Sequence, residues 1–308
     1  MDEGRRWFHP RGSLAREGCQ VVVDTTLPGW HHTGLRVAEL RDRPLELPAG
    51  QVERMVVPLA GRFEVDHTGP GGAAQARLEG RGSVFDGPTD VLYVGAGRSL
   101  SVRGTGRVAV AEAVAGEPYP ACHLRADQVP VELRGAGASS RQVHNFGVPG
   151  VLDAARLIVC EVLTPSGNTS SHPAHKHDQS VEGRETRLEE IYYFEAAVER
   201  GLPAPARVDP CGMFATTSSP AGEIETRALV RSGDVALVPF GYHGPAVALP
   251  GYDLYYLNVM AGPDPLRAWL IQDDPDQAWI RETWAELPVD ARLPYRTPAP
   301  GRRTDRRP

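Results

Sequence analysis

The stretch TPSGNTSSHPAHKHD, residues 164–178, places three of the chain's ten histidines within six positions. Side chains two residues apart on a β-strand point to the same face, so a strand here would direct the imidazoles of His175 and His177 to one point. Two converging imidazoles suit a divalent ion of the Zn, Mn, Fe or Ni group. The pair alone is weak support for a metal site, because a polar loop with two exposed histidines has the same sequence.

Two later segments strengthen the interpretation as a metal site. LEEIYYF, residues 188–194, predicts a strand that could pair antiparallel with the histidine strand, and it begins with Glu189 and Glu190. Because side chains alternate, only one of these carboxylates can face inward. GDVALVPFGYHGP, residues 233–245, predicts a strand that ends in a turn with His243. Three imidazoles and one carboxylate leave room for oxygen ligands from a substrate, as a catalytic metal site requires.

The surrounding sequence favours short strands joined by turns. Gly and Pro number 33 and 28 among 308 residues, and they cluster between apolar segments that often alternate with polar residues. This pattern is typical of an antiparallel β-sandwich or barrel. The predicted strands cover residues 20–26, 35–41, 52–60, 62–67, 91–94, 107–115, 156–163, 189–195, 206–215, 225–231, 234–239 and 253–260.

The strand positions predict two β-rich domains. A stretch with Pro, Gly and Ser at 116–140 interrupts the strands, so we place an N-terminal domain at residues 1–125 and a C-terminal domain at residues 126–288. Residues 275–287 predict a helix with a proline in its first turn. Residues 289–308 are rich in Pro and Arg without periodicity, and they predict a flexible tail.

Charge and composition exclude several classes of protein. The formal net charge of -6 argues against nucleic acid as a partner, because phosphate binding needs a basic face. The sequence contains no run of about 20 apolar residues and no apolar stretch typical of a signal peptide, so no membrane association is predicted. Four scattered cysteines without CxxC spacing fit a reduced, cytoplasmic setting. They are Cys19, Cys122, Cys160 and Cys211.

These motifs resemble the two metal motifs of the cupin superfamily. The matching elements are His175-x-His177, a later glutamate, and Gly233-x5-Pro239-x-Gly241-x-His243. The chain departs from the superfamily in the long gap at residues 178–189 and in the single residue between the last glycine and histidine. A loop insertion explains the long gap, because surface insertions are well tolerated. The departures indicate a narrower family.

That narrower family is 5-deoxy-glucuronate isomerase of bacterial myo-inositol catabolism. The resemblance extends over most of the chain and rests on the blocks 85–94, 164–178, 188–195, 241–263 and 273–280. It implies an all-β bicupin fold, with two β-sandwich or jelly-roll barrels and a few short helices. It also implies an aldose–ketose isomerisation of a small sugar acid, in which 5-deoxy-D-glucuronate becomes 5-dehydro-2-deoxy-D-gluconate.

The resemblance also implies a metal site in the second barrel, formed by His175, His177, Glu190 and His243. The related 4-deoxy-5-hexosulose-uronate ketol-isomerase of the pectin pathway has its glutamate directly before an aliphatic residue and a tyrosine. That pattern matches Glu190 rather than Glu189. We expect one divalent ion, with zinc first and manganese, iron or nickel as alternatives.

The first barrel offers no comparable set of ligands. His31 and His32 are adjacent and would point to opposite faces of a strand, and His67 stands alone. We therefore predict that the N-terminal domain binds no metal and has a structural role.

The implied isomerisation needs a group that moves a proton between neighbouring carbons through an enediol. The candidates are Glu161, Tyr192 and Tyr256. Tyr192 lies two positions after Glu190 and shares its face. Tyr255 is the alternative to Tyr256, because only one of two adjacent strand residues can face inward. A core aromatic residue with its hydroxyl satisfied is the commoner role for a tyrosine in such a strand.

A sugar-acid carboxylate needs a cation. Lys176 and Arg141 are the candidates, with Arg187 as an alternative. Lys176 lies between the two metal histidines, so on a strand it would point away from the metal. His172 lies in the loop before that strand and could bind substrate hydroxyls, as could its neighbours Asn168, Ser170 and Ser171.

Three other functions remain compatible with the motifs. A cupin dioxygenase would use iron with the same ligands and would consume oxygen. A non-enzymatic sugar-binding or structural bicupin would tolerate loss of the metal. The pectin-pathway isomerase would act on a different uronate. A homo-oligomer is also compatible with the sequence, which does not define the oligomeric state.

Overall fold

The computed structural model describes residues 6–69 and 71–296, whose strands form three antiparallel sheets. An eight-stranded sheet comes from the N-terminal half, and a seven-stranded and a six-stranded sheet enclose the C-terminal half. None of the helices in these described ranges combines the length and the apolar character needed to cross a bilayer.

The N-terminal sheet contains all but one of the strands described between residues 6 and 125. The exception is β1 (Phe8–His9), which pairs with a strand of the second half. The eight strands of the sheet are β2 (Val21–Val23), β3 (Thr33–Leu40), β4 (Leu45–Leu47), β5 (Val52–Gly69), β6 (Gly72–Arg81), β7 (Val91–Val94), β8 (Ser99–Val114) and β9 (Cys122–Leu124). Their order is β2-β3-β8-β5-β7-β9, with β4 on β8 and β6 on β5.

The C-terminal domain is built from two facing sheets. Its strands are β10 (Val131–Arg134), β11 (Arg141–Asn145), β12 (Ile158–Thr164), β13 (Thr169–Ser170), β14 (His175–Lys176), β15 (Glu189–Val198), β16 (Cys211–Thr217), β17 (Thr226–Arg231), β18 (Val235–Val238), β19 (Tyr242–Ala248), β20 (Tyr252–Ala261) and β21 (Gln272–Asp273). The seven-stranded sheet has the order β1-β18-β15-β20-β12-β11-β10. The six-stranded sheet has the order β17-β16-β19-β14-β21, with β13 on β19.

The seven-stranded sheet is buried on both faces. Along β15, Tyr192 and Phe194 face the interior of the C-terminal barrel. The alternate residues Ile191 and Tyr193 belong to a second apolar cluster, shared with residues of the N-terminal sheet such as Met55. Burial of both faces explains why β15 and β20 are almost continuously apolar rather than alternating. The two domains therefore pack sheet against sheet over one joint core.

Two glutamates link the domains, because each accepts hydrogen bonds from the backbone of the other domain. Glu53 on β5 accepts hydrogen bonds of 2.5–2.9 Å from the backbone N–H groups of residues 155–157, just before β12. Glu189 on β15 accepts bonds of 2.6–3.1 Å from the backbone N–H groups of residues 31–33, where β3 begins. Each domain thus holds the segment that leads into a strand of the other. The reciprocity indicates two related barrels that face each other.

The helical segments of the described residues are 3₁₀ helices, at Val84–Asp86, Ala126–Gln128, Gly137–Ser139 and Ala278–Glu286. The prediction of a helix over 275–287 is confirmed in position, but its type is 3₁₀. Side chains three residues apart eclipse each other in a 3₁₀ helix. This spacing brings the guanidinium carbon of Arg281 to 5.3 Å from the ring centroid of Trp284.

The prediction of a flexible tail at 289–308 is wrong for residues 289–296. The Tyr295 hydroxyl donates to Asp253 at 2.9 Å, and its backbone N–H donates to Gln142. Leu293 and Tyr295 are buried against the core shared by the two domains. The Pro- and Arg-rich composition of this segment did not predict that these two apolar side chains pack against the core. Residues 297–308 lie outside the described residues.

An ion pair at the domain interface provides a stability test. Arg81 of β6 forms two bonds of 2.6 and 2.7 Å to Glu161 of β12, and both side chains are almost fully buried. We expect Arg81→Met to lower the free energy of unfolding by about 3–5 kcal/mol, because it leaves a buried carboxylate without its cation. Urea unfolding measures the change. The control is Arg77→Met, since Arg77 pairs with Glu79 at an exposed site and its loss should cost less than about 1 kcal/mol. Equal effects would contradict this role of Arg81.

Candidate metal centre

Three side chains of the C-terminal barrel converge on one buried point. Atoms of His177, Glu190 and His243 able to ligate a metal lie within 4.8 Å of one another. The Oε2 atom of Glu190 is 3.0 Å from Nε2 of His177 and 3.2 Å from Nε2 of His243. The ring of His175 adjoins this group, with its centroid 4.5 Å from that of His243 and 6.4 Å from that of His177. Three of the four predicted ligands therefore converge, and the fourth, His175, lies beside them.

The ligands come from both sheets of the barrel. His175 on β14 lies directly opposite His243 on β19 in the strand register of the six-stranded sheet. Glu190 comes from β15 in the facing seven-stranded sheet. The prediction that the glutamate strand pairs with the histidine strand is therefore wrong, as is the prediction that His243 lies in a turn. Residues 178–188 carry the chain from one sheet to the other rather than closing a hairpin.

The three imidazoles have a common orientation. The Nδ1 atoms of His175, His177 and His243 lie 3.1–3.2 Å from the backbone carbonyl oxygens of Pro173, Leu188 and Gly241, respectively. Because a carbonyl only accepts, each Nδ1 carries a proton, so the lone pair of each neutral ring is at Nε2. This tautomer is the one that histidine uses when Nε2 binds a metal.

The charges of the cluster favour an ionised carboxylate. Burial favours the neutral acid of Glu190, but the neighbouring imidazoles of His177 and His243 outweigh it and lower its pKa to about 2. Burial opposes protonation of His177, yet its hydrogen bond to Glu190 raises its pKa above the ordinary value. Burial and the neighbouring imidazoles hold the pKa of His175 well below the ordinary value. The cluster therefore presents an anionic oxygen beside a neutral imidazole.

The donor set fits a divalent metal ion. Nε2 of His243 is buried and lies 3.2 Å from Oε2 of Glu190, but it makes no hydrogen bond within the described residues. A buried polar atom without a hydrogen bond is costly unless a ligand satisfies it. Imidazole nitrogens with one carboxylate suit zinc and its first-row neighbours.

Lys176 supports the metal strand from its other side. Its ammonium group donates at 2.8 Å to Asp178 and to both carboxylate oxygens of Glu185. Asp178 also accepts from the backbone N–H of Gly241, whose carbonyl oxygen faces His243. Strand alternation thus turns Lys176 away from the histidines, and Lys176 does not line the cavity beside the cluster. Its prediction as a substrate-binding residue gives way to a role in holding the ligand strands together.

A cavity of about 450 Å³ opens beside the cluster. His175 and Glu190 line it, so the metal centre is accessible from this space. Aromatic side chains form much of the remaining wall, and three arginines contribute to it. These lining residues are Tyr192, Tyr256, Trp269, Trp284, Arg134, Arg141 and Arg281. The cavity is therefore suited to a small anionic molecule.

Tyr192 and Tyr256 are the predicted catalytic residues that reach the cavity. Their hydroxyls lie 3.0 Å from Oγ of Ser171 and 2.9 Å from Oγ of Ser170, respectively. The two serines, predicted to bind substrate hydroxyls, are thus occupied by the phenols. Burial raises the pKa of Tyr256 to about 12 and that of Tyr192 well above its ordinary value, so both phenols stay protonated.

Glu161 does not reach the cavity, so its prediction as a catalytic residue is wrong. It points from β12 toward the N-terminal domain and binds Arg81, His144 and the hydroxyl of Tyr255. Burial favours its neutral form, but the charge of Arg81 dominates and lowers its pKa to about 2. Sequence alone did not distinguish the two buried faces of β12.

Arg141 differs from the other two arginines of the cavity. Arg134 pairs with Glu132 at 2.8 Å, and Arg281 pairs with Asp273 at 2.7 Å. Arg141 has no carboxylate at ion-pair distance within the described residues and donates only to the Ser139 carbonyl. Burial, followed by the positive charges of Arg134 and Arg281, lowers its pKa to about 10. An anion bound beside Arg141 would relieve the repulsion between its guanidinium and those of Arg134 and Arg281.

The remaining candidates lie outside the cavity lining. Asn168 donates to Ser140 and Asp290, so its side-chain amide is bonded within the protein. Burial, followed by the positive charge of nearby Arg141, lowers the pKa of His172. Nδ1 of His172 is buried and has no hydrogen-bond partner among the described residues. Arg187 contributes no atom to the lining. Sequence reasoning missed Arg134 and Arg281, which stand outside the conspicuous histidine motifs.

Comparison with known proteins agrees with this architecture. A model of the KduI/IolB family matches residues 7–280. The chain belongs to the KduI/IolB family. A 5-deoxy-glucuronate isomerase of Geobacillus kaustophilus (strain HTA426) is 37% identical over 285 residues, which cover 90% of this chain and 96% of that relative. The protein of the same name from Geobacillus thermodenitrificans (strain NG80-2) is 36% identical over 274 residues, covering 87% and 93%.

Solved structures extend the comparison to the fold. An IolB-like protein from Salmonella typhimurium LT2 superposes with a TM-score of 0.78 at 32% identity, covering 89% of this chain and 99% of that chain. An oxalate decarboxylase from Lactobacillus farciminis superposes with a TM-score of 0.57 at 14% identity, covering 91% and 94%, and is similar in fold alone. The predicted family, the all-β bicupin fold and the assignment as an isomerase are confirmed.

The network around Lys176 leads to a stability prediction. We expect Glu185→Gln to lower the free energy of unfolding by about 1–3 kcal/mol, because the buried ammonium loses one charged partner. Chemical denaturation measures the change. The control is Glu182→Gln in the same insert, where the side chain is exposed and the effect should stay within about 0.5 kcal/mol. A Glu185→Gln protein as stable as the control would contradict this supporting role.

Proposed function

We propose that this isomerase is metal-dependent and converts 5-deoxy-D-glucuronate to 5-dehydro-2-deoxy-D-gluconate, as a cytoplasmic enzyme of myo-inositol catabolism. The observation that carries the proposal is the shared cavity, in which His175 and Glu190 line the same space as Arg141. The names of the Geobacillus relatives support the choice of substrate. A small molecule with an anionic end and a carbonyl end is complementary to this space.

Arg141 binds the substrate carboxylate in this proposal. It is buried, it lines the cavity, and its guanidinium lacks a described carboxylate partner. A guanidinium can bind a carboxylate through two parallel N–H donors, which also fixes its orientation. The ring of Trp284 lies 5.3 Å from the guanidinium carbon and helps to hold it in place. The opposite end of the substrate then extends toward Glu190.

The metal site is assigned to His175, His177, Glu190 and His243. When bound, a divalent ion supplies charge stabilisation for the enediolate oxygen that the isomerisation develops. Zinc is our first choice because this nitrogen and oxygen set suits it, with manganese, iron or nickel as alternatives. The protein prepares the site by holding Nδ1 of each imidazole on a backbone carbonyl, which leaves Nε2 to bind the ion.

The two cavity tyrosines act on the substrate as protonated phenols. With a pKa of about 12, Tyr256 stays a protonated phenol that can donate a hydrogen bond, and the raised pKa of Tyr192 gives it the same character. We assign them to donate to the substrate oxygens between which the carbonyl and hydroxyl exchange places. Ser170 and Ser171 contact the phenol oxygens and orient them. Such positioned proton donors accelerate enolisation by stabilising the developing charge.

Metal dependence is tested by His177→Ala. We expect loss of the bound ion, measured by elemental analysis of the purified protein, and a decrease of more than about 100-fold in kcat/KM for 5-deoxy-glucuronate. The control is His31→Ala, whose ring is exposed and should leave both quantities unchanged. Full activity in a metal-free His177→Ala protein would exclude the metal-dependent mechanism. Absence of oxygen consumption at an oxygen electrode would exclude the dioxygenase. Absence of turnover in a parallel assay on 4-deoxy-5-hexosulose-uronate would exclude the pectin-pathway activity.

Recognition of the carboxylate is tested by Arg141→Met. We expect KM for 5-deoxy-glucuronate to rise about 10- to 100-fold with a smaller change in kcat, because a charge-assisted hydrogen bond to the substrate is lost. Arg141→Lys should recover part of the affinity, since it keeps the charge but not the paired donors. Arg125→Met is the control, because Arg125 is exposed and outside the cavity lining. An unchanged KM in Arg141→Met would assign the carboxylate to another cation.

A further inference from the structure

We propose that Asn258 and Trp269 form a subsite in the cavity that recognises a hydroxyl oxygen of the sugar acid and selects substrates by it. The inference deepens the proposed function and rests on it. Neither residue belongs to the metal cluster, and neither is bonded to the three arginines. Each has a buried N–H donor beside this cavity that finds no acceptor among the residues the structure describes.

Asn258 is a polar residue in an otherwise apolar row. It lies on β20 between Tyr256 and Met260, which face the barrel interior with it. Its side-chain carbonyl accepts a weak bond from Cys160 across the strand pair, at 4.0 Å. Its amide Nδ2 is buried and has no acceptor among residues 6–69 and 71–296, and the residue lines the cavity. One half of the amide is therefore fixed by the barrel, and the other half is available to a ligand.

Trp269 provides a second donor from a different segment. It lies between β20 and β21, and its indole Nε1 is buried without an acceptor in the described part of the chain. The indole can only donate, so no other hydrogen bond can replace a missing acceptor. The guanidinium carbon of Arg134 lies 5.1 Å from its ring centroid, which restricts the ring. A fixed donor that faces a ligand cavity is the kind of group that gives a site its specificity.

The chemistry of these donors identifies the type of ligand group. An amide N–H and an indole N–H both require an oxygen acceptor, and neither carries the charge that a carboxylate prefers. Arg141 already provides a guanidinium for the carboxylate. The acceptors left on a deoxy-uronate are its neutral hydroxyl oxygens. An analogue that lacks the recognised hydroxyl would leave buried donors unsatisfied, and sites of this kind reject such analogues strongly.

A buried donor without a partner is not by itself a subsite. Oγ1 of Thr226 is also buried and without a described partner, but Thr226 does not line the cavity. Thr226→Val is therefore the matched control for removal of such an atom. Trp269→Phe removes the indole donor while keeping an aromatic ring. Asn258→Leu replaces the amide with an apolar side chain of similar size in an apolar row.

The test compares 5-deoxy-glucuronate with its 3,5-dideoxy and 4,5-dideoxy analogues on the metal-loaded enzyme. The wild type should prefer 5-deoxy-glucuronate over one of the analogues. We expect Asn258→Leu and Trp269→Phe each to lower kcat/KM for 5-deoxy-glucuronate by about 10- to 100-fold, mainly through KM. The value for the discriminated analogue should stay within about threefold of the wild type, so that selectivity is lost. Thr226→Val should change neither value.

Thermal unfolding separates this effect from a structural one. Asn258→Leu should keep or raise the melting temperature while it loses selectivity, because the amide donor is not used inside the protein. If Asn258→Leu does not fold, Trp269→Phe decides the question. Equal losses for all three substrates, or no loss, would overturn the subsite while the isomerase proposal stands. A wild-type enzyme inactive on 5-deoxy-glucuronate would overturn the proposed function and the subsite with it.

Discussion

The two-faced burial of the seven-stranded sheet is the constraint on which the rest of the structure depends. Adjacent residues on its strands face different cores, so Glu189 and Glu190 have separate tasks. Glu189 accepts three backbone N–H groups of the N-terminal domain, while Glu190 enters the barrel and meets His177 and His243. The domain interface therefore fixes the strand that carries the metal carboxylate. The same alternation separates Tyr255 at the interface from Tyr256 in the cavity.

The reciprocal glutamates also reveal a correspondence between the two barrels. In the N-terminal barrel, Arg54 follows Glu53, and both residues pair in register with the long strand β8. In the C-terminal barrel, Glu190 follows Glu189, and both residues pair in register with the long strand β20. In the N-terminal barrel, Nε of Arg54 binds Glu112 at 2.7 Å. A cation of the chain itself thus occupies the position that corresponds to the metal carboxylate. Because the two charges of this buried ion pair satisfy each other, the carboxylate of Glu112 already has a partner within the chain.

The cavity of the C-terminal barrel shows the opposite arrangement, because several polar groups in or beside it have no acceptor or no charged partner among the described residues. These groups are Nε2 of His243, the guanidinium of Arg141, which lacks a carboxylate, and the N–H donors of Asn258 and Trp269. The buried ammonium group of Lys176, by contrast, contacts two carboxylates. Polar groups of this kind around one cavity are typical of a site whose polar partners come from its ligand.

The sequence by itself indicated the class of fold, because β-strand periodicity is a local property, and its resemblance to a known family selected Glu190 to complete the set of four candidate ligands. It did not determine that the glutamate strand faces the histidine strand across the barrel, since sheet pairing depends on contacts distant in the chain. It likewise could not separate Glu161 at the interface from Tyr256 in the cavity, because both lie on strands buried on two faces. The arginines and Asn258 converge only through tertiary packing. Which charges find partners within the chain, and which stay available to a ligand, is a property of the folded structure alone.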